Sequence, residues 1–205
     1  MTKPAVALLI LILSGMFAMS QQPERPGGLR QIIPGHYVFT SMTYNSGIIA
    51  TSDRVTLYFG GKEIQILYMG RAHTRGDSIV YVPQDHIVYL SELFFANQFL
   101  FINDGYGLDW LKALDAVDAL GADIFVPGHG PIPADPRETR QELRRFRQML
   151  VDIRDAVQKE VAHGATEDQA VGAVRWPQYE KMQSYDAQRE TAVRRLYQQL
   201  TGALK

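Results

Sequence analysis

Two histidines stand on glycine-bearing turns, His73 in "GRAHTRGD" (70–77) and His129 in "VPGHGP" (126–131). Each turn follows a run of strand-like residues, so each imidazole is expected to project from the end of a sheet, where glycine lets backbone approach a ligand. Between them "LSELFF" (90–95) carries Glu92 at the end of an apolar strand. A charge there requires a partner or a metal. His73, Glu92 and His129 are together a two-histidine, one-carboxylate ligand set that leaves coordination positions open for water. The other histidines read as structural or surface residues: His36 starts a strand, His86 lies in a turn, and His163 adjoins a helix-ending glycine, where its charge suits the helix terminus. The absence of cysteine excludes disulfides, thiolate ligands and a cysteine nucleophile.

The elements that must position these residues are legible in the patterning. From Ile32 to about Leu90, short β-branched and aromatic runs alternate with turn residues. Gly60-Gly61 predicts a hairpin between "VTLYF" and "KEIQILYM", and Pro83 to Asp85 a second turn. After Leu90 the period changes. Leu108, Leu111, Leu114, Val117 and Leu120 fall at helical intervals and stop at Gly121, "DIFVPGHG" returns as a short buried strand, and a long helix is expected from Asp135. Asp135, Pro136 and Glu138 predict a capping box for it, and Leu143, Phe146, Leu150, Ile153 and Val157 form its apolar stripe. A second box, Thr166 to Gln169, opens a short helix, and a last helix runs through "AQRETAVRRLYQQL". Strands followed by helices, with one strand between helices, predict helices packed on a sheet face.

With 205 residues, 46% of them hydrophobic, and a net charge of −1, the chain suits one compact domain. Basic and acidic residues are interspersed, as in "RETRQELRRFRQ", so nothing points to nucleic acid. Residues 1–20 read as a signal peptide: one early lysine, an apolar run from Ala5 to Ala18, and small Ala18 and Ser20 at a cleavage spacing. The run is shorter than the ~20 residues of a membrane span, so no stable span is expected after cleavage. Residues 21–31 are then a leader, and the expected location is secreted or periplasmic.

"GRAHTRGDSIVYVPQDHIVYLSELFF" followed by "GLDWLKALDAVDALGADIFVPGHGP" resembles the metallo-β-lactamase superfamily of metallohydrolases, as does the preceding "PGHYVFTSMTYNSGIIATSD". The likeness runs from about Ile33 to Pro131, and the tail resembles the helical ending of some secreted members. It implies an α/β fold, the αββα sandwich, over residues 32–205, with residues 133–205 as its helical C-terminal part. It places His73 where the family has the histidine that completes the first metal's ligands, His129 where the last histidine binds the second metal, and Glu92 where an aspartate usually bridges them. Asp77 matches the acid of the "HTxGD" turn as a supporting, orienting residue. The implied activity is zinc-dependent hydrolysis of an ester, thioester, lactam or similar bond in a small-molecule substrate.

Two departures limit that implication. The family's "HxHxDH" signature, which supplies ligands to both metals, is absent. "SGIIATSD" leads directly into "RVTLYFGG", so the chain reads as a reduced member with strands missing from one sheet through an internal deletion near Asp53 and Arg54. Glu92 is also one methylene longer than the usual aspartate. The remaining trio is expected to hold at most one zinc ion, weakly, or none, and the alternative function is a non-catalytic binding or scaffold protein on the same fold. For the export expectation, mass spectrometry of the exported chain should find a mature N-terminus near Gln21; retention of Met1 would refute it.

Overall fold

The computed structural model describes residues 53–204 throughout, together with the backbone of three earlier strands. The expected signal segment, most of the leader and the His36 side chain lie outside the described residues. The strands are β1 (Leu29–Ile33), β2 (His36–Thr40), β3 (Asn45–Ala50), β4 (Arg54–Phe59), β5 (Lys62–Tyr68), β6 (Ser78–Val82), β7 (Ile87–Tyr89) and β8 (Ile124–Val126). They join in one hydrogen-bonded sheet in sequence order. All neighbours are antiparallel except β7 and β8, which are parallel because a helical crossover separates them.

The turn chemistry acts where the sequence places it. Gly60 and Gly61 both take left-handed φ, 58° and 77°, closing the β4–β5 hairpin in register Phe59↔Lys62. Pro83–Asp85 forms a single 3-10 turn between β6 and β7, ended by His86 at φ 50°. β3 pairs directly with β4 through Ile48↔Leu57, Ile49↔Thr56 and Ala50↔Val55. The strands on either side of the expected deletion point are therefore neighbours in the sheet.

The helices are α1 (Gly107–Asp118), α2 (Thr139–Ala162), α3 (Glu167–Ala173) and α4 (Tyr185–Leu200). α2 packs against α1, α4 and β8. The stripe Leu143, Phe146, Leu150, Ile153 and Val157 is buried, as its spacing predicts. One strand face supplies the opposing layer: Leu67 pairs in register with Ile79, and Val88 with Phe125, and all four are buried. Among the described residues no helix is long and apolar enough to cross a membrane.

The helix starts divide between expectation and correction. Thr166 and Gln169 form a complete reciprocal capping box, as predicted for α3. At Asp135 the carboxylate accepts from Arg137 N, but this caps a 3-10 turn, Pro136–Glu138, and α2 begins only at Thr139. Glu138 completes no box there. The helix is instead anchored by the Thr139 hydroxyl, which donates to Pro136 O and accepts from Phe125 N at 2.9 Å, tying α2 to β8. His163 takes the C-cap of α2, the helix-end position its neighbouring glycine predicts.

Close backbone approaches lie beyond β8. A Cβ on Gly128 would fall 2.1 Å from Ser91 O, whereas one on Gly76 would meet nothing within 4 Å. Gly128→Ala should lower stability by about 3 kcal/mol, the upper end of overpacking costs, because backbone rather than a flexible side chain must move. Gly76→Ala should stay near neutral. Denaturant unfolding of the two variants tests the contrast; equal stabilities would refute it.

Candidate functional site

The backbone beyond β7 and the backbone beyond β8 run side by side. Leu90 N donates to Val126 O at 2.9 Å, Gly128 N to Phe94 O at 3.1 Å, and Ala96 N to His129 O at 2.9 Å. Gly130 makes the second close passage, since a Cβ there would fall 2.0 Å from Ala96 O, and its φ is 93°. These contacts set Glu92 and His129 opposite each other. His129 Nε2 and Glu92 Oε1 are 2.9 Å apart, with side chains 52% and 41% exposed.

His73 arrives from the turn after β5. Ala72 O accepts from Tyr106 N at 2.7 Å, pinning this turn to the start of α1. The His73 ring packs among Phe95, Phe101 and Trp110 at centroid distances of 5.9, 6.0 and 5.8 Å. Trp110 is held in turn by its indole N–H, which donates to Leu93 O at 2.9 Å. Asp77 holds this turn: its carboxylate accepts from Thr74 N at 2.7 Å and from the Thr74 hydroxyl at 2.8 Å. Its other oxygen contact, 4.0 Å from His73 Nδ1, is too long for a hydrogen bond. His73 Nδ1 is consequently buried with no hydrogen-bond partner.

One cavity of about 280 Å³ is lined by all three expected residues, His73, Glu92 and His129. Phe95, Phe99 and Phe101 form its apolar wall, and Gln98 and Ser184 add polar groups. The sequence reading missed these last five. Ser184 enters because Phe99 N donates to Gln183 O at 3.0 Å, which draws the segment before α4 to the cavity. A left-handed backbone also marks the site. Among the described residues, the non-glycine positions with positive φ are His86, Ser91, Asn97 and Ser184; Ser184 lines the cavity, and Ser91 and Asn97 directly precede Glu92 and Gln98.

Zinc is the group that the sequence resemblance implies, and the arrangement does not fit it as a resident ion. Among the described residues no three His, Cys, Asp or Glu side chains are grouped to hold a metal. Glu92 and His129 are engaged with each other, while the Phe95 ring packs against both imidazoles, 5.9 Å from His73 and 5.2 Å from His129. Shared cavity walls connect the trio. What the geometry does provide is a hydrogen-bonding pair at one part of an aromatic cavity and the His73 ring at another.

The Glu92–His129 pair is half exposed, which places its energetic coupling in the range of surface ion pairs. A double-mutant cycle of Glu92→Ala and His129→Ala, read by denaturant unfolding, should return a coupling of about 0.5 kcal/mol. A value above about 2 kcal/mol would show the pair to be a structural strut instead.

No protein-family profile matches the chain. It is 24% identical over 80 residues to the 2,4-dinitroanisole O-demethylase subunit alpha of a Nocardioides strain, which covers 38% of this chain and 24% of that protein. Among solved structures it is similar to the stereoselective inverting sec-alkylsulfatase Pisa1 from a Pseudomonas species, at 15% identity and a TM-score of 0.58, over 73% of this chain and 26% of that one. A metallo-β-lactamase from Pontibacter korlensis aligns at 14% identity and a TM-score of 0.40, over 60% of this chain and 98% of that one. The chain thus spans about a quarter of the length of the O-demethylase subunit and of the alkylsulfatase. The α/β fold with C-terminal helices is the metallo-β-lactamase fold, as the sequence resemblance implies.

Proposed function

We propose that this chain, built on the metallo-β-lactamase fold, binds a small aromatic molecule in the cavity between His73 and the Glu92–His129 pair. The observation that carries this reading is the composition of the wall: three phenylalanine rings and the His73 ring face one space, with Glu92, His129, Gln98 and Ser184 as its hydrogen-bonding groups. At about 280 Å³ the cavity stands at the small end of ligand sites, which favours a single-ring ligand. Aromatic pairs of offset or edge-to-face geometry contribute about 0.5–1.5 kcal/mol each beyond burial, so a ring packed on this wall gains from several contacts. The name of the O-demethylase subunit similar to part of this chain supports trying an aryl ether first. The apolar run Ala5–Ala18 supports placing the protein outside the cytoplasm.

The fold supports a second reading, metal-dependent hydrolysis, and the grouping of side chains speaks against it, since among the described residues no three His, Cys, Asp or Glu side chains are gathered to hold an ion. Metal content separates the two readings without reference to turnover. After dialysis the protein is expected to hold well under one equivalent of zinc, unchanged in His73→Ala.

The binding experiment is an NMR titration with 2,4-dinitroanisole and with anisole. Saturable shifts of the His73 and His129 ring signals are expected, and Phe101→Ala, a truncation of a side chain already 43% exposed, should weaken binding roughly tenfold. Absence of saturable shifts with both probes, or one tightly held zinc lost in His73→Ala, would overturn the aromatic-binding reading.

A further inference from the structure

Away from the cavity contacts, three arginines converge on one buried ring. The guanidinium carbons of Arg71, Arg195 and Arg75 lie 4.4, 5.5 and 5.6 Å from the centroid of Tyr106. They come from separate parts of the chain, two from the "GRAHTRGD" turn and one from α4. Each is fixed by a different anchor. Arg71 Nε and Nη2 donate to Asp109 Oδ2 at 3.0 and 2.7 Å, Arg195 Nε and Nη2 donate to Gly105 O at 3.0 and 2.8 Å, and Arg75 Nε donates to the Tyr106 hydroxyl.

The charges in this cluster do not balance. Asp109 is the carboxylate bonded within it, and Asp109 also accepts from Lys112 at 3.0 Å. Burial would raise the Asp109 carboxyl, but the hydrogen bonds from Lys112 and Arg71 outweigh it and hold the group below its ordinary range, so it stays ionised. Three guanidiniums and an ammonium thus meet one carboxylate, in a chain whose overall charge is −1. The anchors occupy only some of the donors. Among the described residues, Arg71 Nη1, both terminal nitrogens of Arg75, and Arg195 Nη1 make no hydrogen bond to protein.

We propose that Arg71, Arg75 and Arg195 form an oxyanion site that takes a phosphate or sulfate group, either as the free ion or as a monoester. Guanidiniums suit this ligand because their planar forks present paired N–H donors to tetrahedral oxyanions, and anchoring one edge of each fork reduces the entropy lost on binding. The Tyr106 ring offsets part of the mutual repulsion through its π face, and an anion would offset the rest. This site is independent of the aromatic-binding reading, since its residues are not those of the cavity wall.

The test is a calorimetric or NMR titration of the full chain with sodium sulfate, sodium phosphate and butyl sulfate, with ionic strength held constant by sodium chloride. Saturable binding is expected, weakened roughly tenfold in Arg75→Gln and in Arg195→Gln. Arg75 is exposed, so its variant should retain the parent circular dichroism spectrum and keep the test readable. Butyl sulfate binding at least as tightly as sulfate would assign the site to a monoester, and tighter binding of the inorganic ions would assign it to the free anion. Shifts that fail to saturate, or binding unchanged in both variants, would overturn the proposal.

Discussion

The contact on which the site depends is backbone against backbone. Gly128 and Gly130 pass so close to Ser91 and Ala96 that a Cβ at either would fall about 2 Å from a carbonyl oxygen. That approach lets three parallel-running hydrogen bonds link the segments after β7 and β8, and it puts Glu92 and His129 at hydrogen-bond distance. The site's geometry is therefore set by main-chain packing, which is stiffer than any side-chain arrangement. The half-exposed Glu92–His129 pair is a product of this packing and not its cause.

Trp110 extends the constraint to His73. Its indole N–H reaches Leu93 O, adjacent to Glu92, and its ring touches both His73 and Phe95, while Tyr106, the N-cap of its own helix, donates to Ala72 O. One fully buried side chain thus links the loop carrying Glu92, the turn carrying His73 and the start of α1. The same turn carries Arg71 and Arg75 onto Tyr106. Two different chemistries, an aromatic cavity and a cluster of guanidiniums, are consequently positioned by one short segment, residues 70–77.

Much of this was legible in the sequence because it depends on local rules. The Gly60-Gly61 hairpin, the buried stripe of α2 and the Thr166–Gln169 box each follow from residues within a few positions of one another. The start of α2 was misjudged because Thr139 is recruited by Phe125, a contact from the preceding strand that no local pattern reveals. The three candidate residues were found from their glycine turns and from a charge in an apolar run. Their cavity partners were not. Phe95, Phe99 and Phe101 stand at no motif spacing, and Ser184 joins only through the pairing of Gln183 with the segment at Phe99. The arginine cluster has no signature in the sequence, because Arg195 is remote from the two residues it joins.

The unpartnered nitrogen of His73 shows what it costs to hold this turn in place. A buried polar atom left without a hydrogen bond costs about 1–3 kcal/mol, and the folded chain bears that cost at a position where Asp77 stands 4.0 Å away and is already occupied by Thr74. A rotation of the Asp77 carboxylate toward His73 would give up hydrogen bonds that hold the turn, so the protein gains little by satisfying the atom internally. Nδ1 exposes essentially no surface, so an occupant of the cavity does not reach it, and the cost is one that the turn itself bears in holding the His73 ring against Phe95, Phe101 and Trp110.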